Sequence, residues 1–159
     1  MSDEFKNWSR EPTDEQKKNY ELCMKYPILI PINHRSGRRW DGYEYEFTEL
    51  QLVPTGWNTA FGEQWASEIQ DVIDKMPESK RSEVHILDLK EKYGVLRQYF
   101  SYHTDELDEV IRKYEKISKN TCVLCGAPAT KISVGWISPY CDECADKKTY
   151  LKFVPISER

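Results

Sequence analysis

Four of the five cysteines in this 159-residue chain lie close together near its C-terminal end. They form two Cys-x-x-Cys pairs, Cys122 with Cys125 and Cys141 with Cys144, and 15 residues separate the pairs. Two residues between ligands allow a tight turn to aim both sulfurs at one ion, and two such turns complete a tetrahedron. Because four thiolates leave no open position for water or substrate, the spacing predicts one structural Zn²⁺ ion rather than a catalytic one.

The same cysteines are open to other interpretations. Thiolate ligands also suit an iron centre, and a Cys-x-x-Cys pair can act as a redox dithiol or form disulfides. A redox dithiol is expected within a strand and helix pattern of thioredoxin type, and two such motifs would be needed in one small module. Residues 1–16 are acidic and polar, whereas a secretory signal has a basic start and an apolar run. We therefore expect a cytoplasmic protein, and in a reducing compartment paired cysteines bind metal more often than they form disulfides.

The residues around and between the pairs predict a small metal-bound fold. Gly126 follows the first pair, where a tight turn favours positive φ; residues 131–137 are typical of a short hairpin, and residues 142–150 of a helix. This order is that of a treble-clef or zinc-ribbon module. About 40 residues cannot bury enough apolar surface alone, so the ion is expected to supply folding free energy on the order of 10 kcal/mol. Trp136, on the predicted hairpin, belongs either to the module's core or to a contact surface.

The rest of the chain predicts an α+β body over residues 1–119, with the zinc-binding module over residues 120–159. Two segments of the body have apolar residues at helical steps of three and four, and other segments alternate. The predicted elements are a helix capped by Thr13 and Gln16, an extended segment over 27–32, a strand over 43–47 with one aromatic face, a helix capped at Asn58 or Thr59, a hairpin around Lys92-Tyr93-Gly94, and a helix that opens at Thr104.

Two basic stretches are candidates for nucleic-acid contact, in which basic side chains bind phosphates and an aromatic ring stacks on a base. The alternative is that the first stretch is a solvated loop, whose charge nearby acids cancel, and that the second is the outward face of a hairpin. With 23 basic and 27 acidic residues, the chain has a net charge of −4 and no general attraction to polyanions. The candidate residues are Arg35, Arg38, Arg39, Trp40, Lys90, Lys92 and Arg97.

Motifs for catalysis are missing from the sequence, which has no GxSxG, P-loop or GxGxxG pattern. His34, His85 and His103 are widely spaced, and residues 120–159 contain no histidine to act as the general base of a treble-clef nuclease. We interpret Cys23 as a small buried hydrophobe rather than a reactive thiol. We therefore expect a protein without enzymatic activity, and a pocket lined by His85, His103 and carboxylates would favour the enzymatic alternative.

A set of motifs follows a fixed order between residues 54 and 145. They are Pro54-x-Gly56-Trp57, Lys90-Glu91-Lys92-Tyr93-Gly94-x-Leu96-Arg97-x-Tyr99, Ser118, Thr121-Cys122-x-x-Cys125-Gly126-x-Pro128, Gly135-Trp136 and Cys141-Asp142-x-Cys144. Together they resemble a family of small uncharacterised proteins of tailed bacteriophages and prophages. This family has no established reaction, so the resemblance implies a phage-associated zinc protein in a bacterial cytoplasm and gives no catalytic residues. Where the family usually has an aromatic residue after Leu-Arg, this chain has Gln98.

Two functional hypotheses follow. The first is a non-enzymatic accessory protein that binds a bacterial host or phage protein, for example a component of host defence or transcription. The second is nucleic-acid binding through the basic and aromatic residues of the 34–40 loop and the 90–97 hairpin. No membrane association is expected, because the sequence has no stretch of 18 apolar residues.

Overall fold

The computed structural model describes residues 5–159 and combines short helices with small antiparallel sheets, which confirms the predicted α+β class. The α-helices are α1 (Asp14–Lys25), α2 (Thr55–Trp57), α3 (Glu63–Asp74), α4 (Glu78–Arg81), α5 (Asp105–Lys119) and α6 (Asp142–Asp146). The strands are β1 (Ile32–Asn33), β2 (Arg38–Arg39), β3 (Ile86–Lys92), β4 (Val95–Phe100), β5 (Lys131–Ser133), β6 (Pro139–Tyr140) and β7 (Phe153–Pro155). Three-ten turns occupy Pro27–Leu29, Glu49–Leu52 and Ile156–Glu158, and a π-helical turn, Asn58–Gly62, joins α2 to α3.

Helix α1 begins where the sequence predicts. The Thr13 hydroxyl accepts a hydrogen bond from the Gln16 amide at 3.1 Å, and the Gln16 side chain accepts one from the Thr13 amide at 2.9 Å. The prediction of an extended segment over residues 27–32 is wrong in its first half, because Pro27–Leu29 forms a three-ten turn directly after α1. The Ile28 amide in this turn donates to the side chain of Gln70 on α3 at 3.0 Å, which fixes the turn against that helix.

The prediction of a strand over residues 43–47 is also wrong. Tyr43 and Tyr45 are both buried, but Tyr45 has a φ of 60°, which a strand does not contain. The Tyr45 ring packs against Tyr20 of α1 at a centroid distance of 5.1 Å and against Trp8 at 5.9 Å. The tyrosines therefore form an aromatic cluster over α1, and no partner strand is needed to bury them.

The central helical run, α2 to α3, begins at Thr55, and the predicted caps Asn58 and Thr59 lie inside it. That prediction is wrong because a backbone carbonyl of the C-terminal cysteine module takes the place of a side-chain cap: the Gly56 amide donates to the Val123 carbonyl at 2.9 Å. The run presents its apolar stripe to the core, as predicted. Its buried residues are Gly56, Trp57, Phe61, Gly62, Trp65, Ala66, Ile69, Gln70 and Ile73.

The predicted hairpin is confirmed as the antiparallel pair β3 and β4, with Lys92 opposite Val95 beside the turn. Tyr93 and Gly94 have φ values of 55° and 73°, the left-handed pair that a type I′ turn requires. Glycine adopts this conformation freely, whereas a residue with a side chain loses about 1–2 kcal/mol. The Tyr93 backbone is therefore strained and must be held by its surroundings.

Helix α5 is confirmed as well, and it packs on β4 and α3. The Thr104 hydroxyl caps it by accepting a hydrogen bond from the Leu107 amide at 3.2 Å. Leu107, Ile111 and Tyr114 are buried on one side of the helix, at the predicted helical spacing.

The last 40 residues contain a three-stranded sheet in the order β6-β5-β7. β5 pairs with β6 in a hairpin, as predicted, but the second strand lies at Pro139–Tyr140, beyond the predicted range of residues 131–137. The predicted helix over residues 142–150 is too long, because α6 ends at Asp146 and the chain then turns back to form β7, which the sequence does not predict. In β7, Phe153 lies opposite Ser133 of β5, so the early helix end allows the sheet to gain its third strand.

One apolar core extends through both parts of the chain. Its largest fully buried side chains include Trp57, Trp65 and Tyr114, and the same cluster continues into Cys122 and Tyr140. The division of the chain after residue 119 stays a prediction. Among residues 5–159, no helix combines the length and the apolar character needed to cross a lipid bilayer.

Candidate metal centre

The sulfur atoms of Cys122, Cys125, Cys141 and Cys144 all lie within 4.8 Å of one another. The Sγ atoms of Cys125 and Cys141 are 3.6 Å apart. Four sulfurs at the usual zinc bond length of about 2.3 Å would be separated by about 3.8 Å, whereas a disulfide brings two sulfurs to about 2.05 Å. All five cysteines in the described residues are free thiols. The geometry thus matches a four-coordinate metal site and does not match a pair of disulfides.

The first pair of cysteines lies in the tight turn that the sequence predicts. The Gly126 amide donates to the Cys122 carbonyl at 3.0 Å, and the Cys122 amide donates to the Ala127 carbonyl at 2.8 Å. Gly126 has a φ of 82°, as expected for the residue that turns the chain back. The Ala127 amide points at the Cys125 sulfur at 3.5 Å. This turn aims both sulfurs inward and places an amide donor on one of them.

The second pair lies at the start of α6. Cys141 occupies the cap position, and its sulfur accepts a hydrogen bond from the Cys144 amide at 3.4 Å. The Ala145 amide donates to the Cys141 carbonyl at 2.9 Å, so the first helical turn fixes the two sulfurs relative to each other. Amide donors on a sulfur favour its thiolate form, which is the form that binds a metal.

The pKa shifts of Cys122, Cys141 and Cys144 agree with a cation between the sulfurs. Burial raises the pKa of Cys122, but backbone amides that point at its sulfur outweigh burial and bring this pKa down to about 7. Burial is the largest cause that raises the pKa of Cys141 and Cys144, and the charge of Cys122 raises the pKa of both further. The thiolate form is therefore favoured at Cys122 and disfavoured at Cys141 and Cys144. A bound divalent cation offsets this, because it stabilises each thiolate directly.

The metal-binding turn is seated directly on the body of the protein. The Trp57 ring nitrogen donates to the Thr121 carbonyl at 2.8 Å, next to the hydrogen bond between Gly56 and Val123. A Cβ atom on Gly56 would lie 2.3 Å from the Cys122 carbonyl oxygen, so only glycine permits this approach. Sequence reasoning noted the Gly56-Trp57 motif but did not connect it with the cysteines.

The first group of basic candidates lies at the β1–β2 hairpin. Arg38 and Arg39 form β2 and are exposed, and Trp40 follows with 51% of its surface exposed. The Arg39 guanidinium donates to the Tyr45 hydroxyl at 3.2 Å, while the Arg35 amide donates to the side chain of Asn33 at 2.9 Å. These contacts fit the solvated-loop alternative, and a role of this group in nucleic-acid binding stays a prediction.

The second group is brought together on one face of the β3–β4 hairpin. Lys90 lies directly opposite Arg97, Lys92 follows on the same face, and exposed Tyr99 lies there too. Lys90 forms an ion pair of 2.5 Å with Asp88. Among residues 5–159, no hydrogen bond or ion pair joins this group to the β1–β2 hairpin. The seven candidates therefore divide into two separate groups.

Gln98 lies in the core, although the neighbouring residues of β4, Arg97 and Tyr99, lie on the outer face of the hairpin. Its side chain is buried, accepts a hydrogen bond from the Trp65 ring nitrogen at 2.7 Å and donates to the Ile111 carbonyl at 3.1 Å. The side chain at position 98 faces the core, so the lack of an aromatic residue there leaves the outer face of the hairpin unchanged.

The burial of Trp136 decides whether this residue belongs to the core of the module or to a contact surface. It is 77% exposed, so it belongs to the surface of the module. With Tyr93, which is 64% exposed, it lines a cleft of 240 Å³ between the β3–β4 turn and the β5–β6 turn. The sequence gives the residue type and the turn, but exposure depends on how the module docks against the hairpin.

The two histidines considered for an enzymatic site, His85 and His103, do not line a common pocket. His85 lines a 490 Å³ cavity together with Asp74, Arg39 and Arg81, whereas His103 is not part of that cavity and pairs with Asp108 at 2.7 Å.

Cys23 is fully buried, and burial raises its pKa to about 11. Such a thiol is protonated at neutral pH, which agrees with its interpretation as a small hydrophobe.

Comparison with protein-family models, with curated proteins and with solved structures finds no match to this chain. The functional argument therefore depends on the geometry of the cysteine cluster and of the surface beside it.

Proposed function

We propose that Cys122, Cys125, Cys141 and Cys144 hold one structural Zn²⁺ ion. The proposal is supported by the mutual distance of the four sulfurs, within 4.8 Å, and by the amide donors around them. Four sulfur ligands close the coordination shell, so the ion would stabilise the fold of residues 121–155 and would activate no water.

The metal content of the protein tests this proposal. Protein purified without chelator should contain one zinc per chain by elemental analysis, and Cys122→Ser should contain none. Cys23→Ala is the matched control, since it removes a buried thiol outside the cluster and should retain the metal. Iron in place of zinc would favour the iron alternative, and wild-type protein without metal would contradict the proposal.

We further propose that the folded module presents a contact surface and that the protein acts by binding another protein, without catalysis. The observation that carries this proposal is the exposure of Trp136, at 77%, beside exposed Tyr93. Val134 and Ile137, in the same turn as Trp136, are exposed as well. We call these four residues the Trp136 surface. Tryptophan and tyrosine dominate the binding energy of protein interfaces, and grouped exposed apolar residues are typical of such interfaces.

The partner that we propose is a protein of a bacterial host or of a phage. This part of the proposal rests on the resemblance to phage and prophage proteins, which also places the action of the protein in a bacterial cytoplasm. A phage-associated accessory protein of this kind would modulate a host process by occupying one of its components.

Partner capture from a lysate of phage-infected bacteria tests the protein-binding proposal. Wild-type protein should retain one partner in stoichiometric amount, and Trp136→Ala should lose it. Trp40→Ala is the matched control, because Trp40 is also an exposed tryptophan but lies on the β1–β2 hairpin. Failure to retain any stoichiometric partner, or equal retention by Trp136→Ala, would count against the proposal.

Nucleic-acid binding is the second candidate function. The observation that favours it is the shared face of Lys90, Lys92 and Arg97 with the exposed ring of Tyr99. It requires an affinity for single-stranded oligonucleotides that falls steeply as salt is raised, because phosphate contacts release counterions. An affinity at low salt no higher than that of an acidic control protein would exclude this function.

A further inference from the structure

The cleft between Tyr93 and Trp136 has the size of a site for one side chain. Its volume is 240 Å³, and its other lining residues are Glu91, Lys92, Gly135 and Ile137. Sites for drug-sized ligands enclose about 300–1,000 Å³, so this cleft is too small for a whole ligand of that kind. Two exposed aromatic residues on its walls suit a flat ring, which stacks on such side chains or meets their edges.

The turn that carries Trp136 is held in one shape. The Ser133 side chain is buried, and its hydroxyl donates to the Trp136 carbonyl and accepts a hydrogen bond from the Ser138 amide at 2.9 Å. Gly135, between them, has a φ of 91° and open space around its Cα. The backbone of a turn with a buried internal hydrogen bond needs little further ordering on binding.

The turn that carries Tyr93 is held from the opposite side. The Arg159 guanidinium donates to the carbonyls of Tyr93 at 3.0 Å, Gly94 at 2.7 Å and Lys119 at 3.0 Å. These three hydrogen bonds join the hairpin turn to the end of α5 and maintain the strained backbone of Tyr93. Hydrogen bonds therefore hold the backbone of both turns that carry the aromatic walls of the cleft.

The surface that leads away from the cleft is positively charged. Lys90, Lys92 and Arg97 share the outward face of the hairpin, and the one carboxylate on that face, Asp88, is paired with Lys90 at 2.5 Å. We call Lys90, Lys92 and Arg97 the basic row. Lys90 and Lys92 are two residues apart on one strand, so they are separated by about 7 Å. Alternate side chains of any extended peptide have the same spacing, so such a peptide could place one carboxylate beside each lysine.

The acidic residue on the cleft wall does not oppose this charge. The Glu91 carboxylate accepts a hydrogen bond from the Gly94 amide at 2.6 Å and lies near Arg159, whose charge it partly balances. Because Asp88 pairs with Lys90, the basic charges of the row that have no carboxylate partner within residues 5–159 are those of Lys92 and Arg97, in a chain whose net charge is −4.

We propose that the Trp136 surface binds an extended acidic segment of the partner protein, which places one aromatic or proline ring between Tyr93 and Trp136. Carboxylates at alternate positions of that segment lie along the basic row. This inference rests on the proposed protein-binding function and adds the chemistry of the partner. Extended segments that dock a ring into an aromatic groove are a recurring mode of peptide recognition, and complementary charge beside the groove sets the direction of binding.

A peptide-display selection with the full-length metal-loaded protein tests the inference without knowledge of the partner. A random library of short peptides is selected on wild-type protein and counter-selected on Trp136→Ala. The best peptide is synthesised with a fluorophore, and its affinity is measured by fluorescence polarisation. A labelled oligothymidylate of about 15 nucleotides is measured in the same way as a single-stranded nucleic acid. Each variant is used only if its circular dichroism spectrum and metal content equal those of wild type.

We expect the selected peptides to contain a tryptophan, tyrosine, phenylalanine or proline flanked by aspartate or glutamate. Trp136→Ala should weaken the best peptide about 30-fold or more, as for a residue central to an interface, while Trp40→Ala leaves it unchanged. Lys92→Glu should weaken the binding of this peptide about 10-fold, because the new carboxylate would lie beside the carboxylates of the peptide and like charges repel. Lys75→Glu is the matched control, an exposed lysine at the end of α3, and should have no effect.

Three results would overturn the inference. Peptides that depend on Trp136 but show no acidic residues, or that ignore Lys92→Glu, would exclude an acidic segment and leave the protein-binding function intact. A selection that yields no peptide dependent on Trp136 would exclude the cleft as a peptide site, and the capture experiment with Trp136→Ala then decides separately on protein binding. Tighter binding of the oligothymidylate than of any peptide, lost with Trp136→Ala and Lys92→Glu, would identify single-stranded nucleic acid as the occupant.

Discussion

Trp57 and Trp65, in the core of the body, and Trp136, in the C-terminal cysteine module, have opposite environments, whereas Trp40 of the body is exposed like Trp136. In the body, Trp57 and Trp65 are fully buried, and their ring nitrogens donate to Thr121 and Gln98. In the module, Trp136 is 77% exposed. Trp57 and Trp65 belong to the apolar core, whereas the module has four cysteine sulfurs close to one another. Under the proposed function, the metal ion supplies folding free energy to the module, which would leave Trp136 free to serve at the surface.

Removal of the metal should have the largest effect, because it should unfold the module and leave the body folded. We expect Cys122→Ser, or a strong chelator, to unfold the module, because metal binding contributes on the order of 10 kcal/mol in small zinc domains. Hydrogen exchange followed by mass spectrometry should show fast exchange over residues 121–155, while the amides of α3 and α5 stay protected. Equal loss of protection in both parts would mean that the body cannot fold without the module.

Replacement of one tryptophan in each part should give opposite effects on stability. We expect Trp65→Ala to lower the free energy of unfolding by about 3–5 kcal/mol, because it leaves a large cavity and an unpaired Gln98 side chain. Trp136→Ala should change it by less than about 0.5 kcal/mol, as for other exposed positions. Urea denaturation measures both. A large loss of stability in Trp136→Ala would show that this residue is part of the module's core.

The junction of the two parts should be sensitive to one methyl group. We expect Gly56→Ala to lower stability by about 3 kcal/mol and to speed metal loss to a chelator, because the added carbon would lie 2.3 Å from the Cys122 carbonyl oxygen. Gly42→Ala is the matched control: its φ is 73° and nothing lies within 4 Å of the added carbon. The control should lose about 1 kcal/mol from backbone strain and keep its metal affinity. Equal metal loss in both variants would contradict a tight junction.

The last prediction concerns the pKa of one buried carboxyl group, that of Glu49. Glu49 is buried, and burial, with a smaller effect from Asp88, raises its pKa to about 7. A carboxyl whose pKa is higher in the folded than in the unfolded state stabilises the fold at low pH, and this contribution is lost as the pH rises from about 4.5 to about 7.

Glu49→Gln should remove this pH dependence. We expect the variant to be more stable than wild type by about 1–2 kcal/mol at pH 8, after allowance for partial access of solvent, with the difference shrinking towards pH 5.5. Urea denaturation at several pH values measures it. Asp88 can be tested in the same way, but its pairing with Lys90 adds a second effect. A difference that is the same at pH 5.5 and pH 8 would contradict a raised pKa of Glu49.

The parts of the fold that sequence reasoning predicts are those set by residues close together in the chain. The Thr13 cap needs only Gln16, the β3–β4 turn needs Tyr93-Gly94, and each sulfur pair needs its own tight turn. The four sulfurs have so few arrangements around one ion that their spacing defines the metal site.

The parts that it does not predict depend on contacts between distant segments. Tyr45 leaves the strand conformation because its ring packs on Tyr20, and the start of α2 is set by Val123 on the module. Strand β7 has only three residues, and its pairing with β5 defines it. The exposure of Trp136 likewise depends on how the module packs against the body. The hydrogen bond between Trp57 and Thr121, which takes part in this packing, joins residues 64 positions apart, so local sequence patterns carry no information on it.

X-ray absorption at the zinc edge, on protein purified without chelator, is the most direct test of the claim that four cysteines hold a structural metal ion. The account predicts one zinc per chain with four sulfur neighbours at about 2.3 Å and no nitrogen or oxygen ligand. A shell with fewer than four sulfurs, or with a bound water, would contradict a closed structural site, and so would a protein that folds fully without metal.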